Sequence, residues 1–273
     1  MSDRWPGCSS ISFRHLGLAE ALRVIGECGF TEIDLGALPG VCDHVPYDLT
    51  EAAVAEVVST VRASGLAVRS VNGDIGDLNR VLDERAAQER ETHLGRLLDL
   101  TAGCGAEALV LPCGAQSREP VTGLDADLDR VAGELARAAA AARAHGVAIW
   151  VEAPHFFRLC GDVELAARLI ERLDPAVGVV LDTSHIVASG GDPADFARRF
   201  GPRIAHVHLR DAKPGGINHS IGNGVVDFPA AFEVLRSTGY GGACALELET
   251  RDVTDDERPA AAVRAAQYIA TLL

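Results

Sequence analysis

Four short apolar runs in this 273-residue sequence end in side chains that bind metals and move protons. They are Ile149-Trp150-Val151-Glu152, Val179-Val180-Leu181-Asp182, Ala205-His206-Val207-His208 and Cys244-Ala245-Leu246-Glu247. Successive run ends lie roughly 25 to 40 residues apart, about one strand-helix repeat, so parallel strands joined by helices would bring all four to one place. Three ionised carboxylates there would repel strongly unless a cation offset them. Mostly oxygen donors with one imidazole suit a single divalent ion, Mn²⁺ foremost, with Mg²⁺, Co²⁺ or Zn²⁺ as alternatives.

The elements that must position these residues follow from the alternation of the chain. Runs rich in Val, Ile and Leu alternate with longer Ala, Leu, Glu and Arg-rich segments of helical period, the pattern of repeated βα units. Strands are expected near Cys8 to Phe13, Glu32 to Gly36, Ala67 to Asn72, Ala108 to Pro112, Ala148 to Glu152, Gly178 to Asp182, Ile204 to Leu209 and Ala243 to Leu248. Each is expected to lead into a helix, including an alanine-rich one from Leu124 to His145. Gly29, Gly65, Gly146 and Gly239 stand where left-handed helix caps belong, while Asp48-Leu49-Thr50-Glu51 and Asp227-Phe228-Pro229 carry helix-start signals. The architecture expected is a (β/α)8 TIM barrel, with residues 1–273 as one domain. The first strand is not followed by a GxGxxG turn, so an open nucleotide-binding sheet has no positive signal.

Composition narrows the partners. A net charge of −14 and the lack of a long basic run argue against nucleic acid. No basic region with an apolar core opens the chain, and no run of about 18 apolar residues follows, so no membrane partner is expected and the protein reads as cytoplasmic. Seven scattered cysteines without a CxxC pair read as free, mostly buried thiols.

In such a barrel, chemistry sits at the C-terminal strand ends. His206 and His208 share a strand face, and His208 is nearer the mouth, leaving His206 a layer deeper, either hydrogen-bonded core or support for the metal ligand. Glu247 ends its apolar run, whereas Glu249 belongs to the following loop. Trp150 has the parity of Glu152 and must find room in the barrel interior. His185 follows Asp182 by three residues and is expected to contact substrate, with His155, His219, Asn72 and Asp74 as further candidates around the mouth. Lys213, the only lysine, sits just past His208 in a glycine-rich loop that could close on a ligand or cradle a phosphate.

These residues carry a resemblance to the sugar phosphate isomerase/epimerase superfamily of xylose isomerase-like barrels. It rests on Val151-Glu152, Leu181-Asp182-Thr183-Ser184-His185, His206-Val207-His208-Leu209-Arg210-Asp211, the Gly222-Asn223-Gly224-Val225-Val226-Asp227-Phe228 turn, and Gly239-Tyr240-Gly241-Gly242 running to Leu246-Glu247. The similarity covers most of the chain, from Gly29-Phe30-Thr31-Glu32-Ile33-Asp34-Leu35 onward. The resemblance implies Glu152, Asp182, His208 and Glu247 as metal ligands, Glu152 and Glu247 also as an acid/base pair, and His185 as a substrate contact. Lys213 and Pro214 stand where the ketose 3-epimerases carry an arginine that grips the sugar. Gly216 and Asn218 stand where DNA-repair endonucleases of this fold carry extra zinc ligands.

The expected function is a metal-dependent isomerase or epimerase of a sugar or polyol ketone, passing through an enediolate. The alternative is a dehydratase of inosose or dehydroshikimate type. An abasic-site endonuclease and an inactive binding subunit are remote readings. The substrate is expected to be a small carbohydrate-like molecule, and nothing in the chain argues against a homo-oligomer.

Overall fold

The computed structural model describes residues 5–273. The expectation about the chain's opening falls partly on residues 1–4, which lie outside the described residues. Strands β1 (Gly7–Ser9), β2 (Glu32–Ala37), β3 (Ala67–Gly73), β4 (Ala108–Pro112), β5 (Ala148–Glu152), β6 (Val177–Asp182), β7 (Ile204–Leu209) and β10 (Cys244–Leu246) close into a parallel barrel. Two further strands, β8 (Asp211–Lys213) and β9 (Gly216–His219), form an antiparallel hairpin outside it. The surrounding helices are α1 (Leu18–Glu27), α2 (Glu51–Ser64), α3 (Glu84–Gly103), α4 (Leu124–Ala142), α5 (Val163–Ile170), α6 (Thr183–Ala188), α7 (Pro193–Phe200), α8 (Phe228–Ser237) and α9 (Arg258–Ala270).

Alternation along the strands divides the barrel into two environments. Leu109, Leu111, Ile149, Val151, Val179, Leu181 and Val207 join the large core shared with the helices. The residues between them form a small separate plug of Ala108, Val110, Trp150 and Val180. Trp150 fits because its register partner is Gly178, where a Cβ would come within 2.6 Å of the indole. Glu152, Asp182, His206 and His208 share the plug's parity and are buried.

The helix ends follow the local rules. Gly29, Gly65, Gly146 and Gly239 all have φ between 68° and 88°, where a Cβ would be strained. Thr50 accepts a hydrogen bond from the Ala53 N–H and Asp227 one from the Ala230 N–H.

Three expectations change. The first strand stops at Ser9, and Ser10–Phe13 turn as a 3-10 helix. Ser10 Oγ there accepts from the Gly36 N–H, and Ser12 Oγ accepts from the Leu248 N–H, so side chains replace the ladder. A hairpin, not a helix, follows β7 directly. The alanine-rich helix ends at Ala142, and Arg143–His145 tighten into a 3-10 turn before Gly146. All seven cysteines are free and most are buried, as expected. Among the described residues no helix is long and apolar enough to cross a membrane.

Candidate metal centre at the barrel mouth

Adjacent staves β5, β6, β7 and β10 deliver Glu152, Asp182, His208 and Glu247 to one point. One donor atom from each lies within 4.8 Å of the others, and all four side chains are buried. His208 Nδ1 is 3.7 Å from Glu152 Oε1 and 3.8 Å from Glu247 Oε2. Glu152 Oε1, Asp182 Oδ2 and His208 Nδ1 lack a hydrogen-bond partner in the protein, while His208 Nε2 faces Asp34 Oδ2 at 3.5 Å on the other side of the ring. Unpaired buried donors and acceptors cost about 1–3 kcal/mol each, so converging several of them suits a cation that satisfies them together. The donor set of three carboxylates and an imidazole therefore fits one divalent metal ion.

The electrostatics agree. Burial pushes Glu247 up to about 8, with the nearby Glu152 adding to it against the pull of His208. Burial works against charge on His208, but Glu247, Asp34 and Glu152 outweigh it and hold the imidazole well above its ordinary range. Burial also opposes ionisation of Asp182, yet His185, Arg210 and His208 keep it below the usual carboxylate range. Protons thus partly balance a concentration of negative charge, the role a cation takes when bound.

A cavity of about 460 Å³ opens above the cluster and is lined by Asn72, Asp74, Glu152, His155, His185 and Glu247, among others. His185 accepts the Phe156 N–H on Nδ1 at 3.0 Å, which leaves Nε2 as the protonated nitrogen, 3.7 Å from Glu152 Oε1. Burial lowers its pKa, consistent with a neutral ring. His155 stacks on it with centroids 3.9 Å apart. Asn72 Nδ2 donates to Glu247 Oε1 at 3.4 Å. Asp74 instead pairs with Arg158 at 2.7 Å, at the cavity wall.

Lys213 is placed differently from the expectation. It is exposed in the β8–β9 hairpin and is absent from the cavity lining, to which the hairpin contributes Ile217 and Asn218 instead. His219 lies in the same hairpin, also away from the lining. The glycine-rich turn cradles no phosphate. Its cradle holds the carboxylate of Asp211, which accepts the N–H groups of Gly222, Gly224 and Val226 at 2.8, 2.9 and 3.1 Å. A Cβ at Gly224 would overlap that carboxylate.

Two buried residues packed against the cluster escaped the sequence reading. Arg210 is buried with its Nη1 2.8 Å from Glu249 Oε2, its Nε donating to Ser184 Oγ at 3.0 Å, and its Nη2 3.6 Å from Glu247 Oε2. Glu249 also meets Arg14 at 2.9 Å, so it serves two arginines rather than the cluster. Asp34 lies beneath His208, bonded to His206 at 2.7 Å. A signal for each existed: Arg210 continues the parity of His206 and His208, and Asp34 interrupts an apolar strand, where a buried charge needs a partner.

Comparison with known proteins bears on this geometry. Residues 22–272 match the family described as Xylose isomerase-like TIM barrel. Inosose dehydratase of Geobacillus thermodenitrificans strain NG80-2 is 33% identical over 121 residues, 37% of this chain and 40% of that protein. The aligned stretches of the first curated relatives span only about a third of those proteins' length, 31% to 40%. The solved structure of the IolI protein with a zinc atom superposes with a TM-score of 0.80 at 17% identity, covering 98% of both chains. L-ribulose 3-epimerase superposes with a TM-score of 0.79 at 20% identity, covering 98% of this chain and 94% of that one.

Proposed function

Since this chain belongs to the family of xylose isomerase-like TIM barrels, we propose that it is a metal-dependent isomerase or epimerase of a sugar or polyol ketone, working through an enediolate. The observation that carries this reading is the buried convergence of Glu152, Asp182, His208 and Glu247, with donor atoms left unpaired by the protein. These four side chains would hold one divalent ion. When bound, that ion supplies Lewis-acid polarisation of a ketone oxygen and a neighbouring hydroxyl, and offsets the charge of the enediolate.

The chain's own groups move the proton. Glu152 and Glu247 stand on strands separated by β6 and β7, so they flank a substrate from two sides. One carboxylate removes the proton beside the carbonyl, and the other returns it on the opposite face to give the epimer. Return at the neighbouring carbon gives the aldose-ketose isomer. His185 offers Nε2–H beside Glu152, and His155 and Asn72 share the cavity wall, so these residues orient substrate oxygens. A net charge of −14 supports a small-molecule substrate over a nucleic acid.

The test is Mn²⁺-loaded protein in D₂O with a panel of ketoses, inososes and hydroxy-keto acids. Deuterium is expected at the carbon beside the carbonyl of at least one compound, and chelation should abolish its uptake. Glu152→Gln and Glu247→Gln should keep most metal and lose about 10² to 10⁴-fold in turnover. No uptake from any compound by the metal-loaded protein, or equal wild-type exchange in both variants, overturns the reading.

Similarity to inosose dehydratase favours a second reading, in which the same proton abstraction is followed by loss of a β-hydroxyl. Product mass separates the two. An epimer or isomer keeps the substrate's mass, whereas a dehydratase product is lighter by one water.

A further inference from the structure

Beneath the metal-ligand cluster a second polar layer crosses the barrel. His206 Nδ1 lies 3.1 Å from the Ala243 carbonyl oxygen, and its Nε2 lies 2.7 Å from Asp34 Oδ2. A carbonyl oxygen can only accept, so Nδ1 donates. Burial works against charge on Asp34, but His206 outweighs it and holds the carboxyl well below the usual range. The His206 Nε2 thus meets the Asp34 carboxylate as the ring's second hydrogen-bond partner. Trp150 stacks on that ring, with centroids 5.4 Å apart and planes at 28°, and holds it in the barrel interior. Ser70 Oγ donates to the other oxygen of Asp34 at 2.8 Å. Asp34 is thus held in place by two hydrogen-bond partners from two different strands.

The same Oδ2 lies 3.5 Å from Nε2 of His208. On the far side of that ring, Nδ1 faces Glu152 and Glu247 at 3.7 and 3.8 Å. A metal-binding histidine ligates through one nitrogen and keeps its proton on the other, and a carboxylate behind the ring decides which. We propose that Asp34 is a positioning residue of the metal centre: it keeps the His208 proton on Nε2 and presents Nδ1 as the ligating atom. The inference rests on the metal reading of the proposed function. Asp34, His206 and His208 also have the spacing of a metal triad, but the 2.7 Å contact between Asp34 and His206 is that of a shared proton.

The test uses Zn²⁺-loaded protein carrying ¹⁵N-labelled histidine, with long-range ¹H–¹⁵N spectra and calorimetric Mn²⁺ titration beside it. His208 is expected to show a protonated Nε2 and a metal-shifted Nδ1. Asp34→Asn should bind Mn²⁺ about 10- to 100-fold more weakly at unchanged stoichiometry. Ser70→Ala, which keeps the carboxylate and removes one hydrogen bond, should weaken binding less. Ligation through Nε2, a second tightly held zinc ion, or wild-type affinity in Asp34→Asn overturns the inference while leaving the metal reading intact. A wild-type protein that binds no ion, or whose His208 signals do not move on loading, removes both. Should Asp34→Asn fail to fold, the wild-type His208 spectrum and Ser70→Ala still decide.

Discussion

Two buried carboxylate centres in this barrel are built on opposite plans. Asp127, in the first turn of α4, receives Asn79 Nδ2, the Val121 N–H, the N–H and Oγ of Thr122, and Arg130 Nη1, all at 2.7 to 3.2 Å. Both of its oxygens are fully used, and the loop ahead of the helix is tied down. The mouth cluster is also buried, yet Glu152 Oε1, Asp182 Oδ2 and His208 Nδ1 have no hydrogen-bond partner. A fold that satisfies Asp127 so completely has the means to satisfy Asp182. The contrast separates a carboxylate that holds the chain together from carboxylates arranged for a ligand.

The largest expected effects break the comparison on the metal side. His208→Ala should weaken Mn²⁺ binding by more than about 100-fold, beyond the range typical of groups that only support a ligand. His206→Ala should weaken it less, since that ring sits a layer deeper. Calorimetric titration of the two variants checks the order. If His206→Ala strips the metal while His208→Ala retains it, the assignment of β7 is reversed.

On the structural side, Asp127→Asn should lower unfolding stability by about 3 kcal/mol, because the amide turns one buried acceptor into a donor facing donors. Metal affinity should stay at the wild-type value. A denaturant midpoint and a metal titration on one preparation give both numbers, and a metal loss without a stability loss would collapse the distinction between the centres.

A smaller effect sharpens the same contrast through pH. Burial works against the charge of Asp127, but Asn79, Val121 and Thr122 hold its carboxyl well below the usual carboxylate range. Its folded pKa is therefore below the unfolded value of about 3.9, and the unfolded chain binds more protons between the two. That contribution is present above about pH 4 and is lost as pH falls toward the folded pKa. Asp127→Asn should flatten the acid limb of a stability-against-pH curve. An unchanged limb would mean that Asp127 is no more ionised in the fold than in the open chain.

What was legible in the sequence follows from the range of the interactions. Strand parity is local, so Glu152, Asp182, His208 and Glu247 could be picked from their own runs, and Glu247 separated from Glu249. The cap glycines are equally local. Asp34 could be noticed as a charge inside an apolar strand, but its partner could not be named, because His206 is 172 residues away and only barrel closure brings them together. The pairing of Arg210 was hidden for a similar reason, its partner Glu249 standing 39 residues on, in the loop after β10. The glycine-rich turn misled because a backbone cradle looks alike whether it takes a phosphate or the chain's own Asp211. The first strand read too long because Ser10 and Ser12 replace ladder bonds with side-chain bonds invisible to periodicity.

The smallest expected effect concerns Lys213, whose rarity in the sequence gave it weight. The side chain is exposed on the β8–β9 hairpin, while the cations along the cavity are Arg14, Arg158 and Arg251. Arg14 is engaged by Glu249 and Arg158 by Asp74, at 2.9 and 2.7 Å. A lysine outside the lining makes no contact that differs between substrate and transition state. Exposed substitutions away from special features change free energies by about 0.5 kcal/mol or less, roughly twofold in a rate or binding constant. Lys213→Ala should therefore leave kcat/KM within about twofold of wild type for whichever ketone the deuterium screen yields. Metal affinity and unfolding midpoint, measured alongside, should also be unchanged. A tenfold fall in kcat/KM at constant metal affinity would instead require the hairpin to fold over the mouth when substrate binds, making Lys213 part of the closed site.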